Sequence, residues 1–200
     1  MKIKEILDKS GLKYEKGLSD EEIRKIEKLY DIKFPTELKQ MYRELVPVSQ
    51  GFYKWQDFSE VNIEYIKGVI LSVFADVQAE IKYIEWNEDW GDEPVESEKR
   101  RVIEKKLKVA PKLIPIYSHR YAVSGEIESS PVLSVCGVDI IYYGENLSQY
   151  FEIEFAGKSY SEIDYEKIIQ VPFWSEIVWN KNIQEMQLDH YYKLRNRREI

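Results

Sequence analysis

Ser118, His119 and Asp139 are the residues of this 200-residue chain whose types could assemble a nucleophile, a base and an orienting carboxylate. A hydroxyl activated by an imidazole, with a carboxylate holding the ring, is the chemistry of acyl transfer. The surrounding text, Ser118-His119-Arg120-Tyr121, has neither a nucleophile elbow nor a glycine motif for an oxyanion hole. The plainer reading is a partly buried histidine that holds a loop. Glu152 and Glu154 are separated by one residue, so no regular element turns them toward each other for acid–base work. A zinc site needs several clustered ligands, but the chain has two histidines, His119 and His190, and one cysteine, Cys136. Gly137 and Gly144 are isolated turn residues, not a phosphate-cradling loop. No catalytic, cofactor-binding or metal-binding residue is assigned, and the chain is read as a non-enzyme.

Binding asks for less. The formal net charge is -7, with 44% hydrophobic and 32% charged residues. That composition is globular rather than disordered. The missing excess of cations argues against nucleic acid as partner. An acidic surface favours basic partners. The longest apolar run, GVILSVF at 68–74, is too short to span a bilayer, so no membrane partner is expected. A single cysteine allows no intramolecular disulfide. Cys136 falls inside the candidate strand VLSVCGVDI and is read as a buried, inert thiol. The opening MKIKEILDKS reads as a short charged helix rather than a secretory signal. Together these point to a reducing, cytoplasmic setting.

The candidate contact surface lies around Trp90. Of the five tryptophans, Trp55, Trp86, Trp90, Trp174 and Trp179, most read as core, because each buries a large apolar area. Trp90, between Asp89 and Gly91, is the best candidate for an exposed aromatic. Exposed tryptophans are common hot spots of protein interfaces. Glu88, Asp89, Asp92 and Glu93 surround it with negative charge. The competing reading makes Trp90 a local lid on the preceding helix. Tyr142-Tyr143-Gly144 carries the same two readings.

The elements that position these residues follow from periodicity. Ile3, Ile6 and Leu7 form a small apolar face on a first helix, expected to pack loosely. Ser59 or Asp57 can cap a long helix whose stripe runs from Ile66 through Ile70, Val73 and Val77 to Ile84, with a kink or break expected near Gly68 or Phe74. Its β-branched content leaves a strand open for part of it. Pro94 opens another helix, with Val95, Ile103 and Leu107 inward and EKRRVIEKK as a solvated face. From Ala110 the period shortens. Leu113 to Tyr117 and Tyr121 to Val123 read as strands, and Pro131 to Val135 with Val138 to Tyr143 as a hairpin. Leu147 to Phe155 reads as a helix capped by Asn146. A short helix surrounds Phe173-Trp174-Ser175-Glu176, and YYKLRNRREI is a basic, frayed tail.

The stretch from Gly17 to Phe58, GLSDEEIRKIEKLYDIKFPTELKQMYRELVPVSQGFYKWQDF, organises the rest. Ser19 and Glu22 form a capping box, with Leu18 and Ile23 placed as a hydrophobic staple. Ile23, Ile26, Leu29 and Tyr30 share one helical face. Phe34-Pro35 is a hinge, because the residue before a proline avoids the helical region and proline suits a first turn. Leu38, Met41, Tyr42 and Leu45 repeat the stripe until Pro47 and Gly51 end it. An aromatic run then delivers Trp55.

This order resembles the SUKH superfamily, the family of the Smi/Knr-type regulator of cell-wall assembly. Glu27 stands where members carry an internal glutamate in the first helix, Phe34-Pro35 where they carry the linker, and Gly51 and Trp55 where a small residue and a tryptophan follow. PKLIPIYSHRY, PVLSVCGVDIIYYGENLSQYF and VPFWSEI resemble distal motifs of bacterial members. The resemblance implies an α+β fold, several helices on a small, mainly antiparallel sheet. It implies one domain over 1–200, with a helical insert at about 59–108 and a short basic C-terminal tail. It also implies binding: many bacterial members look like immunity proteins that neutralise a toxin by covering its active site, so a basic toxin such as a nuclease is the expected partner. A regulatory scaffold of the cell-wall type is the alternative. An enzyme of unknown class is the third, disfavoured reading.

Overall fold

Ser19 sets the first well-defined joint. Its hydroxyl accepts from the Glu22 backbone N–H at 3.3 Å, and the Glu22 carboxylate accepts from the Ser19 N–H at 2.8 Å. This capping box starts helix α2, Asp20–Tyr30. The computed structural model describes residues 2–178. Helix α1 (Ile3–Lys9) and strand β1 (Tyr14–Lys16) precede α2; α3 (Thr36–Glu44) and β2 (Leu45–Pro47) follow it. Then come α4 (Glu60–Glu80), α5 (Glu96–Val109), the strands β3 (Leu113–Tyr117), β4 (Arg120–Val123), β5 (Val132–Cys136) and β6 (Asp139–Gly144), and the helices α6 (Leu147–Ala156) and α7 (Trp174–Val178). The fold is α+β. Strands β3 to β6 form an antiparallel meander in sequence order, and β1 pairs with β2 in a separate two-stranded sheet.

The meander is a wall between two cores. Side chains alternate across a strand. Ile114, Ile116, Ala122 and Val132 therefore point one way, into a core built with α1, α2, α3 and α6 around Trp55, Tyr150 and Phe151. Leu113, Tyr121, Leu133 and Tyr142 point the other way, into a core shared with the C-terminal half of α4, with α5 and with Trp174 of α7. Ile26, Leu38 and Trp55 all lie in the first core. Phe34, Tyr30 and Tyr42 surround the Trp55 indole at ring distances of 5.4, 5.4 and 6.3 Å.

Glu27 ties α2 to α3. Its side chain is buried, and it accepts from the Phe34 N–H at 3.0 Å and meets Lys39 Nζ at 2.9 Å. Lys33 Nζ stands 3.6 Å away. Burial raises the carboxyl pKa, but the Lys39 hydrogen bond, the Phe34 N–H and the two lysine charges outweigh it and hold Glu27 below the ordinary range. Lys112 Nζ crosses from beside β3 to cap the other end of α2, reaching the Asp31 carboxylate at 2.8 Å and the Tyr30 carbonyl at 3.3 Å. Gly17 allows a close backbone approach: a Cβ there would collide with the Arg43 carbonyl.

Several expectations need correction. Helix α1 is not loosely held: Ile6 and Leu7 are fully buried, and Ser10 Oγ donates to the Phe155 carbonyl at 2.7 Å. Helix α4 is one unbroken α-helix past Gly68 and Phe74. Ser59 caps it, with Asp57 accepting from the Ser59 N–H. Leu45 does not extend the helical stripe, because the backbone turns extended there to pair Lys16 with Leu45. Pro35 sits one position before the helix, as N-cap, and Val95 does the same for α5, where it is exposed rather than inward. The tail and Trp179 lie outside the described residues.

The Glu27 geometry gives a pH dependence with a definite sign. A carboxyl with a lowered folded pKa contributes stability above its unfolded pKa and loses it as pH falls through the folded value. Acid should therefore lower the melting midpoint, and Glu27→Gln should flatten that part of the profile. At neutral pH Glu27→Ala leaves the Phe34 N–H unpaired and should cost about 1–3 kcal/mol, measured by denaturant unfolding.

Candidate partner-binding surface

The segment between α4 and α5 is a loop with its own scaffold. Helix α4 tightens into a 3₁₀ turn at Ile81–Tyr83, and a second one follows at Glu88–Trp90. Asn87 caps that second turn, its Oδ1 accepting from the Asp89 N–H at 2.8 Å. The Trp86 and Trp90 rings meet edge to face, 5.3 Å apart. Trp86 Nε1 donates to the Gly91 carbonyl at 2.7 Å, closing the loop on itself.

One carboxylate pins this loop to the body. Glu176 of α7 accepts from Trp90 Nε1 at 2.7 Å and from Lys106 Nζ of α5 at 3.0 Å. The Lys106 ammonium also sits 4.9 Å from the Trp90 ring centroid. Asn87 Nδ2 donates to the Glu176 carbonyl at 2.7 Å. Burial works to raise the Glu176 pKa, but the Lys106 and Trp90 hydrogen bonds outweigh it and hold the carboxyl low and charged. Beneath the loop lies a cavity of about 100 Å³ lined by Tyr83, Asn87, Val138 and Glu176 among others. Sites for drug-sized ligands run to several hundred Å³, so this one suits no such ligand.

Trp90 is thus half-buried and bonded, not the exposed aromatic expected. The reading of it as a lid is nearer the geometry. The charges around it are outward: Glu88, Asp89, Asp92 and Glu93 are all exposed. Glu93 pairs with Lys99 at 2.7 Å, while no ion pair among the described residues engages Glu88, Asp89 or Asp92. The loop presents an acidic rim over a tryptophan base, tied to the body by the Trp90 and Asn87 hydrogen bonds to Glu176. Its anchors, Glu176 and Lys106, were missed in the sequence. Lys106 belongs to a run that reads as a solvated face, and Glu176 lies 86 residues from Trp90.

The other candidates do not assemble. Ser118 Oγ stands 3.2 Å from His119 Nδ1 in the turn between β3 and β4, and His119 is exposed rather than partly buried. Its pKa is lowered by partial desolvation and the Arg120 charge, against a raising effect from Glu154. Asp139 plays no part: it is exposed, across the β5–β6 hairpin from Cys136. Glu154 meets Arg120 Nε at 3.3 Å, and Glu152 meets Lys158 Nζ at 3.0 Å, so the two glutamates serve different cations. Tyr142 is core: it is buried, and its hydroxyl donates to Ser175 Oγ at 2.6 Å. Cys136 is exposed, which overturns the buried thiol, because it is the last residue of β5 and has left the covered part of the sheet. Among the described residues, no group of three or more His, Cys, Asp or Glu side chains is placed to hold a metal ion. No described helix is long and apolar enough to cross a membrane.

No family model, curated protein or solved structure matches this chain.

Two measurements check this surface. An aromatic disulfide reagent should label Cys136 in the native protein at close to the rate seen in denaturant, whereas a buried thiol would lag strongly. Removing the anchor with Glu176→Ala should leave the fold intact but speed amide exchange across residues 84–95.

Proposed function

We propose that the chain is a non-catalytic binding module of the immunity type, which neutralises a toxin by direct contact through the acidic loop between α4 and α5. The observation that carries the reading is the loop itself: Glu88, Asp89, Asp92 and Glu93 are exposed together on a backbone fixed by Trp86, Trp90 and Glu176. The net charge of -7 and the SUKH-like order of Gly17 to Phe58 support it. A nuclease must hold phosphates, so its cleft is positive. An acidic rim can cover that cleft and be steered to it, and steering acts mainly on the association rate. Such a module needs no catalytic residues, cofactor or metal of its own, and its setting is the cytoplasm, where the toxin would act.

Capture from host extract tests the reading. A secreted toxin, above all a nuclease, is the expected prey, and housekeeping proteins as prey would favour the regulatory-scaffold alternative. With the toxin in hand, reversing Glu88, Asp89, Asp92 and Glu93 to lysine should slow association by about ten- to a thousand-fold without unfolding the domain. Wild-type association should fall steeply as salt rises, while dissociation changes little. An association rate indifferent to ionic strength, or no protection on co-expression, removes the masking mechanism.

A further inference from the structure

Helix α4 carries an uncovered apolar face. Val61, Tyr65, Leu71 and Tyr83, on α4 and the 3₁₀ turn that ends it, are 83%, 58%, 63% and 65% exposed. They are half of the eight large apolar residues exposed among the described ones. The positions between them are Gly68, Ser72, Ala75 and Ala79, all exposed. At 100° per residue the positions on α4 itself fall on one side of the helix, opposite the buried stripe of Ile66, Ile70, Val73 and Val77, and Tyr83 follows in the 3₁₀ turn at its end. Lys67 and Asp76 lie on its two sides, and Glu64, which pairs with Lys67 at 3.2 Å, falls within it towards the N-terminal end.

We propose that this face pairs with the same face of a second copy of the chain, the two α4 helices antiparallel about a two-fold axis beside Leu71 and Ser72. Two features select a second copy over a different partner. The first is charge. The N-terminal end of the face carries exposed Glu60 and Glu64, and the C-terminal end carries exposed Lys82. An antiparallel pair centred between residues 71 and 72 brings Lys82 alongside Glu60 and Glu64 of the other copy, and the symmetry makes the match twice. A parallel pair would set like charges together. The second feature is shape. Gly68 and Ala75 straddle the centre, and a Cβ at Gly68 meets nothing, so the axes can approach closely while Leu71 fills the space beside them. An isologous contact needs such self-complementarity, and the antiparallel arrangement also aligns the helix dipoles favourably. Tyr83 also lines the cavity beneath the acidic loop, but Val61, Tyr65 and Leu71 belong to α4 alone, and the Leu71 test leaves Glu88, Asp89, Asp92 and Glu93 untouched.

Sedimentation and light scattering over a concentration series test it. The expected result is a mass twice the 23.9 kDa of the chain. Leu71→Glu should return the monomer with an unchanged circular-dichroism spectrum, since that side chain is exposed, and with a melting midpoint that no longer depends on concentration. Lys82→Glu should weaken the dimer, and adding Glu60→Lys and Glu64→Lys to it should restore it. In a Cys136→Ser background, Ser72→Cys should oxidise readily to a covalent dimer across the axis, while the exposed Ser161→Cys should not. A wild-type chain that stays monomeric at every concentration overturns the proposal. So does a dimer that Leu71→Glu leaves intact.

Discussion

The four-stranded meander is covered on both faces, and most of the architecture follows from that constraint. Antiparallel sheets usually leave one face to water, and their strands then alternate apolar and polar residues. Here Leu113 to Ile116 are buried in succession, Pro115 included, with Leu113 entering one core and Ile114 and Ile116 the other. A sheet buried this way needs apolar material above and below it. The chain supplies α1, α2, α3 and α6 on one side, and the second half of α4 with α5 and α7 on the other. The strands are too short to reach far beyond that cover. Where β5 ends, Cys136 emerges into solvent.

Three polar connections stand at the seams between elements. Glu27 sits between α2 and α3, Lys112 between β3 and the end of α2, and Glu176 between α7, α5 and the loop that follows α4. Each is a charged group with several partners, the condition under which partly buried charge is tolerated. Ser175 joins two seams at once: its hydroxyl receives the Tyr142 phenol at 2.6 Å and the Val171 N–H at 2.7 Å. Trp174 beside it donates to the Pro111 carbonyl at 2.7 Å. The short helix α7 is therefore a fastener for the second core.

What the sequence made legible was local. Ser19 with Glu22, Ser59 and Asn146 each carry their helix start in a few adjacent residues, and all three cap as expected. The strands from Leu113 to Gly144 were readable because turn residues separate the apolar runs, Ser118-His119 and Gly137-Val138 being two-residue turns. What stayed hidden depends on groups far apart in the chain. The pairing of Tyr14–Lys16 with Leu45–Pro47 joins two three-residue strands with no periodicity of their own. The state of Trp90 is set by Glu176 and Lys106, and the exposure of Cys136 by its place as the last residue of β5. For the acidic loop, the residue types show the charge and not the frame that holds it, since a tied loop and an untied one share the same composition.

The docking of α1 against α6 has a consequence for biosynthesis. The chain is made from its N-terminus, so α1, α2 and α3 are finished by residue 44. Their core stays open until Tyr150 and Phe151 arrive with α6, about a hundred residues later. During that interval Ile6, Leu7 and Trp55 have no lid, and a nascent chain in that state exposes the apolar surface that chaperones recognise. The acidic loop between α4 and α5 emerges within the same interval, before its anchor Glu176 exists. The surface assigned here to partner recognition is thus among the last features of the molecule to take its final shape.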